Sequence, residues 1–192
     1  MKLLFASSNE HKIAEIKAIL PLGIQLISLK EIHFYDEIPE TSDTIEGNAI
    51  QKATFIAEKM NVPCFSDDSG LIIPSLNGEP GVYSARYAGP QRDANDNMDL
   101  VIEKINNQSD KSAYFTTVIA LSIHHKIHLF EGRINGRIIQ EKRGSNGFGY
   151  DPIFVPEGSE KTFAEMSTDE KSAMSHRGKA LEKMTEYLKR IG

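Results

Sequence analysis

The chain has 192 residues, of which 40% are hydrophobic and 26% charged, enough to bury the core of one domain, or of two lobes sharing one core, over residues 1–192. Lys and Arg number 22 against 27 Asp and Glu, a formal charge of −5, which argues against the basic face that a long track of nucleic-acid backbone requires and leaves room for a small anionic ligand in a locally cationic cleft. The single cysteine, Cys64, excludes a disulfide framework and points to a reducing compartment.

Met1 leads into Lys2–Ala6, a run too short for a secretory signal, and no stretch approaches the roughly 20 apolar residues of a membrane span. The expectation is a cytoplasmic protein without membrane or nucleic-acid partners. Lys2–Ala6 reads as a strand, Ser7-Ser8-Asn9 as cap and turn, and Ile13, Ile16, Ile19 and Leu20 as the apolar face of a helix closed by Pro21. Ile24–Leu29 alternates as a second strand, and residues 33–42, aperiodic and carrying Asp36, Glu37 and Glu40, form a loop. A second helix follows the Asp43-Thr44 cap, with Ala49, Ile50, Ala53, Ile56, Ala57 and Met60 as its stripe. Val62–Ser66 and Leu71–Pro74 read as two strands separated by Asp67-Asp68-Ser69-Gly70.

Turn clusters at residues 77–81 and 88–90 flank Val82–Tyr87, and Met98, Val101, Ile102 and Ile105 mark a third helix. Ala113–Ile123 and Ile127–Ile134 are β-rich, and Asn135-Gly136 predicts a hairpin returning through Arg137–Ile139. A glycine-rich segment, Gly144–Gly149, precedes the short apolar run Ile153–Val155. The chain closes in a helix bearing Ala180, Leu181, Met184, Tyr187 and Leu188. Helices interleaved with strands, some joined by hairpins, indicate an α/β fold with a mixed sheet.

Several stretches have the composition of a phosphate and metal site. At Ser7-Ser8-Asn9-Glu10-His11-Lys12 a strand feeds a helix N-terminus, whose unpaired N–H groups and dipole favour an anion. Lys12 leans back towards the same end, although a plain cap with a surface lysine has the same local pattern. Asp67-Asp68 before Ser69-Gly70 offers hard oxygens for Mg²⁺ and a carboxylate able to orient or deprotonate water; a solvated Asx turn reads equally well. Glu46 at the mouth of the second helix is a further candidate metal ligand. Phe148-Gly149-Tyr150-Asp151 combines a ring for stacking with an acceptor for ring N–H groups, and Lys171, His176 and Arg177 supply donors for carbonyl or phosphate oxygens. No Walker-type loop occurs, and the histidines make no zinc spacing with Cys64.

Six stretches in order resemble the inosine triphosphate pyrophosphatase family. They are Ser7-Ser8-Asn9-x-x-Lys12, Glu46–Ala49 with Lys52-Ala53, Asp67–Leu71, Pro80–Gly89, Phe148–Pro152 and Ser175–Leu181. The resemblance implies an extended mixed β-sheet flanked by helices, two lobes with a central nucleotide-binding cleft, a homodimer, and Mg²⁺-dependent cleavage of ITP, dITP and XTP to monophosphate and pyrophosphate. It implies that Ser7, Ser8, Asn9, Glu10, His11 and Lys12 hold the triphosphate and that Asp68 is general base and, with Glu46, metal ligand. Ser69 would touch substrate, and Phe148, Gly149, Tyr150, Asp151, Lys171, His176 and Arg177 would form the base pocket. Two positions depart from the family pattern: Ser8 stands where glycine is common, and Gly47 stands where Glu often precedes the Asn-Ala pair.

Overall fold

A computed structural model describes residues 1–191. The strands are β1 (Lys2–Phe5), β2 (Gln25–Ser28), β3 (Cys64–Ile72), β4 (Ser112–Ile123), β5 (Lys126–Ile138) and β6 (Phe154–Pro156). The helices are α1 (Glu10–Ile19), α2 (Ile45–Met60), α3 (Ala94–Asn106), α4 (Thr168–Met174) and α5 (His176–Ile191). The six strands form one mixed sheet in the order β2-β1-β3-β4-β5-β6, with β1 parallel to β2 and β3, and β5 antiparallel to β6.

The chain divides into two compact units. The first contains residues 1–68, 117–132 and 177–191 of those described; the second contains residues 69–116 and 133–176. In the first unit, β4 shows why its residue types alternate as they do. Ile119 and Leu121 pack with Leu3, Phe5 and Phe65 against Ile13 and Ile16 of α1 and Ala180, Leu181 and Met184 of α5. Val118 and Ala120 take the opposite face and meet Ala49 and Ala53 of α2. Phe5 and Phe65, paired in register, stack at 4.7 Å, and burying each ring contributes roughly 1.5–3 kcal/mol. Cys64 lies inside this core, where burial pushes its thiol up to about 12, so it is a packing residue.

The second unit gathers Leu71, Ile73, Val101, Ile105, Phe115, Phe154 and Phe163 into its own core. Phe115 meets Phe154 edge-on at 4.7 Å.

Two local expectations are corrected. Val62–Ser66 and Leu71–Pro74 are not separate strands: β3 runs unbroken from Cys64 to Ile72, so Asp67–Gly70 lie within it. The carboxylates tolerate a strand because distant cations neutralise them. Asn135-Gly136 is not a turn either. It lies in β5, where a Cβ on Gly136 would come within 2.6 Å of the Phe154 ring, so the glycine admits a close packing partner. The hairpin turn is His124-His125, both at positive φ (50° and 58°), the geometry of a type I′ connection between β4 and β5. The last helix, α5, begins at His176, directly after the short α4, which a capping box at Ser167 and Glu170 initiates.

Candidate functional site

In the first unit, Asn9 caps α1, its Oδ1 accepting from the Lys12 backbone N–H at 3.2 Å, while the Asn9 N–H donates to Ser7 Oγ at 3.3 Å. Ser8, Asn9, Glu10 and His11 are exposed around this helix start. The Lys12 side chain turns inward, its Nζ 3.0 Å from Asp67 Oδ1. Asp67 is fully buried, and its Oδ2 accepts from Arg177 Nε at 3.1 Å; Arg177 in turn pairs through Nη1 with Glu15 of α1. Burial alone would raise the Asp67 carboxyl, but Lys12, Arg177 and Lys52 hold it well below the usual carboxylate range.

Asp68 belongs to a second cluster. Its Oδ1 lies 3.3 Å from Lys52 Nζ, which also pairs with Glu40. Lys52 interrupts the apolar stripe of α2 and is buried among Ala49, Ala53 and Ile56, so it requires these counter-charges. Burial works against its ammonium, yet Asp68, Glu40 and Asp67 carry it above the ordinary lysine value. Burial pushes the Asp68 carboxyl up; Glu40 and Asp67 add to the push, while Lys52 and Lys12 oppose it.

Asp68 and Glu40 therefore present hard oxygens to one cationic point. Among the described residues, no group of three or more His, Cys, Asp or Glu is arranged to hold a metal ion. A cation held by this pair would draw its other ligands from water and phosphate, the habit of Mg²⁺, so the donor set fits. Glu46 is exposed in the first turn of α2, where its charge complements the helix dipole.

In the second unit, Asp151 is buried, and its Oδ2 accepts from the Phe148 N–H at 2.8 Å and from Lys171 Nζ at 2.6 Å. These bonds close the turn at Gly147 (φ 74°) and Gly149 (φ 63°), and they occupy the Asp151 oxygen that the sequence offered as an acceptor. Lys171 Nζ stands 5.1 Å from the Phe148 ring centroid. Tyr150 donates its hydroxyl to the Ser84 carbonyl at 2.7 Å, which ties this turn to the 3-10 segment Gly81–Arg86. His176 stacks on Phe115 at 4.8 Å with an interplanar angle of 12°.

Residues 3–187 match the profile of the Ham1 family. The chain belongs to this family. The dITP/XTP pyrophosphatase of Flavobacterium johnsoniae is 50% identical over 188 residues, 98% of each chain. That of Bacillus subtilis is 44% identical over 189 residues, 96% of each. The solved structure of the Staphylococcus aureus Ham1 protein matches with a TM-score of 0.90 at 37% identity over all of both chains. A HAM1 protein from Coxiella burnetii matches at 0.90 with 40% identity over 99% of each.

Within this Ham1-family fold, the Lys12–Asp67 pair joins two stretches that sequence reading kept apart. Sequence reasoning missed Glu40, Lys52 and Glu15. Lys52 carried a usable signal, a cation at buried-stripe spacing between Ala49 and Ile56; Glu40, in an aperiodic acidic loop, carried none. Gly47 also finds its reason here. A Cβ at this position would collide with the Ser42 side chain and come within 2.8 Å of Thr44 Oγ1, because the loop folds over the start of α2.

Proposed function

We propose that this chain hydrolyses the non-standard purine nucleoside triphosphates ITP, dITP and XTP to the monophosphate and pyrophosphate, removing deaminated purines from the nucleotide pool. One observation carries the reading: the 3.0 Å bond from Lys12 to Asp67 couples a capped, exposed helix N-terminus to the strand position next to Asp68. The names of relatives matched along nearly the whole chain support the substrate class.

In this reading the start of α1 takes the triphosphate through Ser7, Ser8, Asn9, the backbone of Glu10 and His11, and Lys12. Asp68 aligns the attacking water and accepts its proton, and Ser69 contacts substrate. Lys12 and the helix dipole offset charge on the departing pyrophosphate. Asp68 and Glu40, which share Lys52, would hold Mg²⁺; Glu46, the ligand suggested by the sequence motif, lies in the first turn of the same helix as Lys52. Bound Mg²⁺ would supply charge neutralisation on the phosphates. The lone cysteine supports a cytoplasmic location, and the family resemblance supports a homodimer, which sedimentation of the 21.4 kDa chain reads directly.

Selectivity against adenine follows from donors. Hypoxanthine and xanthine carry a keto oxygen where adenine has an amino group, so Lys171 and His176 reward the keto form, and adenine leaves them mismatched; Arg177 is committed to Asp67 and Glu15. Phe148, Gly149 and Tyr150 shape the turn that receives the ring, with Asp151 bracing it. Gly147→Ala puts a Cβ into Asp151 Oδ2 at a φ of 74°. It is expected to raise KM for ITP about tenfold, the equivalent of roughly 1–2 kcal/mol of left-handed strain, with kcat less affected; steady-state kinetics checks this.

The deciding experiment is product analysis with ITP, XTP, ATP and GTP, with and without Mg²⁺. Monophosphate plus pyrophosphate from ITP and XTP alone, lost without Mg²⁺, is expected. Orthophosphate release or equal use of ATP overturns the reading.

A further inference from the structure

Between β2 and α2, residues 29–44 form neither helix nor strand, and this is the loop that carries Glu40. A connection this long inside a compact unit needs to be held, and α2 holds it with a row of side chains. Asn48 Oδ1 accepts from the Ser42 N–H at 2.9 Å. Gln51 grips Thr41 at two points: its Oε1 accepts from the Thr41 N–H at 2.9 Å, and its Nε2 donates to Thr41 Oγ1 at 2.8 Å. Further along, Lys59 pairs with Asp36 at 2.5 Å and lies 5.0 Å from the Phe34 ring and 5.4 Å from the Phe55 ring. Positions 48, 51, 52, 55 and 59 fall on one helical face, so α2 reads the loop along its length.

These grips differ in kind near Glu40. Lys52 holds Glu40 by charge, and its ammonium competes with any other cation offered to Glu40 and Asp68. Gln51 and Asn48 hold the next two residues by neutral hydrogen bonds, which do not weaken when the local charge changes. Asn48 is buried, whereas Gln51 is only half-buried and both ends of its amide bond to Thr41. We propose that Gln51 is a positioning residue that fixes the backbone after Glu40 and so keeps the Glu40 carboxylate beside Asp68, ready for a divalent cation. The inference rests on reading Glu40 and Asp68 as the cation's carboxylates.

The test is Mn²⁺ binding to the protein alone, without nucleotide, by calorimetry, on wild type, Glu40→Gln, Gln51→Ala and Thr41→Val. Positioning residues around a metal site typically change affinity by about 10–100-fold, and this partly exposed one belongs at the lower end. Gln51→Ala is expected to weaken Mn²⁺ about tenfold. Thr41→Val, which keeps the N–H but loses the hydroxyl acceptor, is expected to fall between Gln51→Ala and wild type. Melting temperatures should stay near wild type, since alanine and valine at these positions leave the core intact. In turnover assays, the Mg²⁺ concentration for half-maximal rate should rise in Gln51→Ala more than KM for ITP does, a split that loose packing would not produce. Wild-type Mn²⁺ affinity in both Gln51→Ala and Thr41→Val, with binding lost in Glu40→Gln, overturns the role of Gln51 and leaves the carboxylate pair standing. No Mn²⁺ binding by wild type, or unchanged binding in Glu40→Gln, overturns the reading of the pair and the role of Gln51 with it.

Discussion

Asp68→Asn is expected to cut kcat for ITP by roughly 10²–10⁴-fold, the usual contribution of a positioned general base, while nucleotide affinity changes far less. Asparagine keeps the shape of the side chain and an oxygen for Lys52, which lies 3.3 Å from Asp68 Oδ1. It cannot accept a proton from water. The location of Asp68 strengthens the expectation. Burial holds its carboxyl above the ordinary value, which makes it a better proton acceptor than a solvated aspartate, and Lys52 limits that rise. Single-turnover rates beside equilibrium binding of a non-hydrolysable ITP analogue separate the two effects. Comparable losses in rate and binding would remove Asp68 from the role of base and leave it as a binding residue.

The largest stability effect is expected at the neighbouring position. Asp67 lies between Lys12 Nζ at 3.0 Å and Arg177 Nε at 3.1 Å, and its side chain and that of Arg177 are essentially without solvent contact. Asp67→Asn leaves the Lys12 and Arg177 cations without the carboxylate that lies between them. Breaking a buried pair in this way costs about 3–5 kcal/mol. At roughly 2–4 °C per kcal/mol for chains of this size, Tm should fall by about 6–20 °C, measured by calorimetry. A fall of less than 2 °C would mean that the network contributes no more than a surface ion pair. Two adjacent aspartates thus part company: Asp67 is held by Lys12 and Arg177, whereas Asp68 meets Lys52, the partner of Glu40.

The corrections and the missed residues have a common origin. The apolar stripes of α1, α2, α3 and α5, the Asn9 and Thr44 caps and the β-branched run of β4 were all legible, because each depends on residues within a turn or two of one another. The type I′ turn was not placed correctly, since Asn135-Gly136 has the stronger local signal while His124-His125 sits where the strands end. Gly136 answers to Phe154 across the sheet, a requirement that no window around residue 136 contains.

By itself, the sequence determined the α/β class and marked the helix start at Ser7–Lys12 and the Asp67-Asp68 pair as candidates for phosphate and metal chemistry, because caps, periodicity and adjacent charges act over short distances. Only the tertiary structure decided which aspartate is structural, that both lie within a strand, and that Glu40 and Lys52 complete the cluster. The physical reason is charge compensation. A carboxylate may be buried only where cations meet it, and those cations arrive from 55 positions upstream in Lys12, 110 downstream in Arg177 and 16 upstream in Lys52.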